Sequence, residues 1–101
     1  MATALSPYRV LDLSTERAWM CGKMLADLGA DVVKVEPPGG DRGRIGHRPA
    51  AGASPGPDTT WLFQNRGKRS VVLDLDDEAG RARFLDLVDG ADVVVESFPV
   101  G

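Results

Sequence analysis

The chain has 101 residues and a mass of 10.8 kDa, with 43% apolar and 27% charged side chains, which fits one small globular domain and excludes a multidomain assembly. No apolar run approaches the ~20 residues that cross a bilayer, and no basic segment with an apolar stretch and small-residue cleavage site opens the sequence, so neither a membrane span nor a secretory leader is expected and the chain reads as cytoplasmic. Twelve basic residues against 15 acidic ones give a net charge of -3, which argues against a general nucleic-acid binder, and the single cysteine, Cys21, can neither close an internal disulfide nor assemble a metal site.

Tyr8 to Leu13 is rich in strand formers and predicts the first strand. Ser14 and Thr15, which follow it, have hydroxyls suited to capping a helix. From Glu16 to Leu28 the apolar positions Ala18, Cys21, Leu25 and Leu28 recur at helical spacing, and Gly29 supplies the residue that most readily takes the left-handed conformation after a helix. Asp31 to Glu36 is a second β-branched strand, stopped by Pro37-Pro38. Residues 37 to 57 hold six glycines and five prolines in 21 positions, a long loop that no helix or central strand tolerates. Loops of that length are usually functional or disordered, and its surroundings are basic: between Lys34 and Arg69 lie five arginines and two lysines against Glu36, Asp41 and Asp58, so this third of the chain reads either as a segment facing an anion or as a solvated loop.

Asp58 to Asn65 predicts a short helix whose Trp61-Leu62-Phe63 trio docks on the sheet, and Arg69 to Leu75 a third strand. Asp76, Asp77 and Glu78 favour the positive end of a following helix, on which Ala79, Phe84, Leu85, Leu87 and Val88 form an apolar stripe that ends at Gly90. Ala91 to Glu96 is a fourth strand, bounded by Pro99, whose three adjacent valines suit burial on both faces. Strand-helix-strand thus occurs twice, which predicts an α/β fold: two right-handed βαβ units on one parallel sheet of about four strands. The pentapeptide Gly-Ala-Asp-Val-Val stands at both 29–33 and 90–94, the same job done twice: a glycine after a helix leading into a buried strand.

In an open parallel sheet, ligands bind beyond the carboxyl ends of the strands. Here those ends are Ser14 to Ala18, Glu36 to Arg44, Leu73 to Asp76 and Ser97 to Pro99. The glycine fingerprints of dinucleotide and nucleoside-triphosphate enzymes are missing. His47, the only histidine, has no paired nucleophile or carboxylate nearby in sequence and reads as a loop side chain. Cys21 reads as a buried, inert thiol, and Glu36 and Asp41 as a strand end and a turn former. No catalytic set stands out.

Several motifs together identify a resemblance. Val10-Leu-Asp-Leu13, the run from Leu25 to Asp41 (LADLGADVVKVEPPGGD), Asn65 to Leu75 (NRGKRSVVLDL) and Ala91 to Glu96 (ADVVVE) occur in the order and spacing of the N-terminal segment of family III CoA-transferases. That group includes formyl-CoA transferase, carnitine CoA-transferase and α-methylacyl-CoA racemase. The resemblance spans residues 8 to 101. It implies a Rossmann-like part of a longer enzyme that binds CoA thioesters and works as two interlocked subunits, with CoA or acyl-CoA as substrate and no permanently bound cofactor or metal. The family's catalytic aspartate is then expected downstream, so that residues 1–101 form one N-terminal part, a fragment without a catalytic residue of its own. The alternatives are a non-catalytic remnant or interaction module of the same fold, and part of an α-methylacyl-CoA racemase.

Carried over by position, the resemblance places Arg17 and Ala18 against CoA after the first strand. It sets Leu73, Asp74, Leu75 and Asp76 along the adenosine and diphosphate, and Ser97 and Phe98 where the fourth strand turns into the site. Arg44 matches the arginine that follows the Gly-Gly-Asp turn, and Arg69 is a further candidate for the phosphates beside Arg17, Arg44 and the helix N-terminus after Ser14. Pro37 and Asp76 stand where many relatives carry cations, the Glu96 to Gly101 turn has no arginine, and Trp19-Met20 replaces a Gly-Pro.

Overall fold

The structure, a computed structural model, describes residues 3–45 and 59–100. Strands β1 (Arg9–Leu13), β2 (Asp31–Glu36), β3 (Arg69–Val72) and β4 (Val93–Glu96) form one sheet in the order β3-β2-β1-β4, and every neighbouring pair is parallel. Three helices connect them: α1 (Trp19–Asp27), α2 (Thr59–Gln64) and α3 (Glu78–Asp89), with a 3-10 turn at Arg42–Ile45 inside the glycine-proline loop. The α/β parallel sheet expected from the strand-helix rhythm is what forms, and its order is that of a Rossmann-like sheet, with β1 and β4 meeting where the connections reverse direction.

Period-2 alternation along the strands sends their side chains to two faces. On one, Leu11, Leu13, Val33, Val35 and Leu73 form a buried apolar cluster against which Phe84, Leu87 and Val88 of α3 pack. On the other, Val10, Val32 and Ala30 are covered by Leu25 and Ala26 of α1. The same face also carries Asp12, Lys34 and Glu36, which are at most 2% exposed. The register sets Asp12 beside Lys34 and Lys34 beside Ser70.

Several local expectations are corrected. Helix α1 starts at Trp19, not near Glu16, and neither Ser14 nor Thr15 caps it: its first turn has no side-chain cap, because the Ser14 hydroxyl donates to Asp12 Oδ1 at 2.5 Å and the Thr15 hydroxyl bonds Ser97. The later start turns a different stripe inward. Trp19 and Gly22 are buried, while Cys21 and Leu28 are exposed, so the cysteine is not a core thiol. On α3, Leu85 and Ala79 face outward, because only Phe84, Leu87 and Val88 reach the sheet. Strand β3 ends at Val72; the Leu73 N–H still donates to the Glu36 carbonyl at 2.9 Å, and the chain then leaves the sheet through a turn at residues 75–76. Strand β4 is an edge strand, so Val93 and Val94 are each 45% exposed rather than buried on both faces.

The two Gly-Ala-Asp-Val-Val copies therefore differ. Gly29 takes a φ of 104°, as the end of α1 requires, and leads into buried valines. Gly90 takes -99°, open to any residue, and leads to the exposed edge. What they share is β1 between them: Asp31 Oδ2 accepts from Arg9 Nε at 3.0 Å, and Asp92 Oδ2 accepts the Arg9 backbone N–H at 2.8 Å.

Candidate functional site

The carboxyl ends of the strands open onto a cleft of about 580 Å³. Its walls are Leu13 to Glu16 after β1, Val35 to Pro38 with Asp41 and Arg42 after β2, Leu73 to Asp76 after β3, and Phe98 after β4. Each wall is fixed by its own local device. Asp74 Oδ1 accepts the Asp76 N–H at 3.0 Å, and Arg81 of α3 donates to the Leu75 carbonyl at 3.2 Å. Gly80 lets α3 lie against the Asp74 backbone, where a Cβ would collide with its carbonyl. Ser97 ties the ends of β1 and β4 together, its Oγ accepting the Thr15 N–H at 2.8 Å.

Beneath the β2 wall runs a chain of buried ions. Lys68 donates to Asp12 Oδ2 at 2.5 Å, to the Trp19 carbonyl at 2.9 Å and to Asn65 Oδ1 at 2.8 Å, which uses all three ammonium protons. Burial pulls the Lys68 ammonium below its usual range, and the adjoining Asp12 carboxylate opposes that. Lys34 donates to the Ser14 carbonyl at 2.8 Å and pairs with Asp41 at 3.3 Å, close to Trp19 and Trp61, whose rings meet edge to face at 5.2 Å. Glu36 accepts both arms of the Arg44 guanidinium at 2.6 Å, the Asp41 N–H at 2.9 Å and the Ser70 hydroxyl. Burial alone would push the Glu36 carboxyl up; those donors outweigh it and hold the group at about 2. Among the described residues no buried side-chain polar atom lacks a partner.

Of the residues expected at the site, Leu73, Asp74, Leu75, Asp76 and Phe98 line the cleft together. Ser97 stands behind its rim, bonded to Thr15, while Arg17 is exposed in the turn before α1 and Ala18 is the residue preceding that helix. Arg44 is paired with Glu36 and lies over the Trp61 ring. Arg69 lies toward the opposite end of the sheet, where its guanidinium holds Asp31 at 2.7 and 2.9 Å and keeps that carboxyl below its usual range. Arg44 and Arg69 both border a second, smaller hollow of about 290 Å³ near α2. Arg42, which sequence reasoning did not single out, is the one cation lining the main cleft among the described residues. His47 and Asp58 lie outside the described residues. Among the described residues, no cluster of His, Cys, Asp or Glu is gathered to hold a metal ion, and no helix is long and apolar enough to cross a membrane.

Comparison with known proteins adds a family. The model of CoA-transferase family III matches residues 5–101. The chain is 50% identical over 103 residues to the succinyl-CoA:mesaconate CoA-transferase of Haloarcula hispanica, covering 97% of this chain and 25% of that protein. It is 44% identical over 101 residues to a Mycobacterium tuberculosis protein named probable fatty acyl-CoA transferase, again covering 99% of this chain and 25% of the other. A crystal structure of that mycobacterial protein superposes with a TM-score of 0.85 at 42% identity, covering 99% of this chain and 28% of that one. A CAIB/BAIF family protein from Brucella suis superposes with a TM-score of 0.84 at 37% identity, covering 97% of this chain and 26% of that one. The chain thus spans about a quarter of the length of the relatives it matches.

Proposed function

The chain belongs to CoA-transferase family III, and from that premise we propose that its strand-end cleft receives part of a CoA thioester in an enzyme that transfers CoA between carboxylic acids. The observation that carries this reading is the convergence of Leu73, Asp74, Leu75, Asp76 and Phe98 on one cleft at the carboxyl ends of a parallel sheet, where such folds take their ligands. Strand-end backbone and the Phe98 ring offer a flat, partly apolar surface to an adenosine. The aspartate that the family uses to form an acyl anhydride, and the second, interlocked subunit, come on this reading from polypeptide outside these residues. The chain by itself then binds without turnover.

A titration followed by NMR tests the assignment. CoA is expected to shift the amide signals of residues 73–76 and of Phe98, while Arg9 and Arg69 at the far end of the sheet stay unchanged. Adenosine is expected to reproduce only part of the shifts. No shift at millimolar CoA overturns the reading. That outcome would favour a non-catalytic module of the same fold, an alternative supported by one observation: Glu16, Asp74 and Asp76 line the cleft against Arg42, the single cation there among the described residues. Action at the α-carbon of a thioester, as in the racemases, is distinguished by the products of the longer enzyme.

A further inference from the structure

Among the described residues, the contacts that hold the 3-10 turn at Arg42–Ile45 come from one side. The Asp41 N–H donates to Glu36 Oε1 at 2.9 Å, Asp41 Oδ1 accepts the Gly43 N–H at 2.7 Å, and the Arg44 N–H donates to the Asp41 carbonyl at 3.1 Å. Asp41 Oδ2 pairs with Lys34, which is 2% exposed. Gly43 lies so close to the Trp19 ring that a Cβ would overlap it. Arg44 closes the set with its two-armed bond to Glu36. Residues 41, 43 and 44 are therefore all anchored toward the α1/α2 face. Arg42, between them, is exposed, borders the cleft and forms no ion pair or hydrogen bond among the described residues.

We infer that Arg42 is the cation that binds the phosphate groups of the ligand, and that Arg44 is a positioning residue that holds Arg42 in place through Glu36 without touching the ligand. This rests on the reading that the cleft takes a CoA thioester. The two arginines are separated by one glycine, but among the described residues only Arg44 has a partner for its guanidinium. Arg44 already spends two donors on a buried carboxylate, and withdrawing it would leave Glu36 buried without its counter-ion. Among the described residues none takes any of Arg42's five donors, which form a fork that suits a phosphate. Nothing else of its charge lines the described cleft to offset Glu16, Asp74 and Asp76.

Calorimetric titration of the full chain with CoA, dephospho-CoA and adenosine tests the assignment. Arg42→Ala is expected to weaken CoA binding about 10- to 100-fold, in line with loss of a hydrogen bond to a charged group, to reduce its salt dependence and to leave the melting temperature unchanged. Arg42→Lys is expected to recover part of the affinity. If the contact is to the 3′-phosphate, dephospho-CoA binds the wild type and Arg42→Ala alike; if it is to the diphosphate, both ligands lose affinity. Arg44→Lys keeps the charge but cannot make the fork, and is expected to weaken CoA binding in the wild type yet to cost nothing further once Arg42→Ala is present. That coupling separates positioning from a general loss of stability. Wild-type binding that Arg42→Ala leaves intact overturns the inference while the cleft reading stands, and additive losses in the double variant overturn the positioning role of Arg44. If wild-type CoA binding is absent, both the cleft reading and the inference fall.

Discussion

The two faces of the sheet are built from the same strands by opposite chemistry. Toward α3 lie leucines, valines and Phe84, a non-directional contact whose strength follows buried area. Toward α1 and α2 the strands bury Asp12, Lys34 and Glu36, each matched to a partner outside the sheet: Lys68, just before β3, for Asp12, and Asp41 and Arg44, in the segment that follows β2, for Lys34 and Glu36. Desolvation offsets most of the attraction of a buried pair, so such pairs add little net stability compared with apolar packing, while removing one partner is expensive. Their contribution is directional. They fix where the segment after β2, the segment before β3 and the start of α1 must lie, and the first of these is a wall of the cleft. One face supplies the apolar packing and, through Leu13, Val35 and Leu73, part of the cleft lining; the other fixes the loop that walls it.

Three experiments sharpen or break that contrast. The largest effect is expected from Lys68→Ala, which strands the fully buried Asp12 and should cost on the order of 3–5 kcal/mol in denaturant unfolding. The double variant Asp12→Leu/Lys68→Met should recover most of it, and a double variant no more stable than the single one would show that the pair stabilises the fold in its own right. On the opposite face, Leu11→Ala should cost about 2–5 kcal/mol, with no partner substitution able to restore it, because the loss is a cavity rather than an orphaned charge.

Acid should act selectively. The Glu36 carboxyl is held at about 2 against an ordinary 4.5, so its contribution is complete above pH 4.5 and is lost as pH falls from there toward 2, on the order of 3 kcal/mol in all. Asp31, lowered by Arg69 and Arg9, acts in the same direction. The buried apolar cluster itself offers nothing to titrate. Unfolding free energies measured between pH 7 and 2 should therefore fall in that window, and the fall should shrink in Glu36→Gln; an unchanged profile would remove Glu36 from the acid response.

What the sequence disclosed follows from what is local. Strand β2 is read at both ends because β-branched residues and Pro37-Pro38 mark it, and Gly29 because the end of α1 demands a positive φ. The strand-end rule brings residues 73–76 and Phe98 to the cleft. The start of α1 was illegible because Ser14 and Thr15 look like caps in isolation, while their hydroxyls are claimed by Asp12 and, from 82 residues away, by Ser97. The shifted start then misassigns Cys21. Charges at 34 and 36, alternating with Val33 and Val35, did carry a signal of a polar sheet face, but Lys34 and Glu36 show their burial only once Asp41, Arg44 and the two tryptophans are placed. Arg42 stayed hidden beside Arg44 because spacing alone does not say which of two neighbouring arginines faces the cleft.

The repeated Gly-Ala-Asp-Val-Val is an internal control for how much five letters can carry. Both copies deliver an aspartate to Arg9 from either side of β1, so the polar clasp travels with the words. Torsion and burial do not: one glycine sits at 104° and leads inward, the other at -99° and leads to the rim of the sheet. Any scoring of substitutions by short sequence windows would give Gly29 and Gly90 the same weight, although an alanine would strain only the first. Two identical words in one chain thus have different vocabularies of permitted replacement, set by the torsion each glycine takes and by whether a neighbour, as Thr3 does at Gly29, fills the place of a side chain.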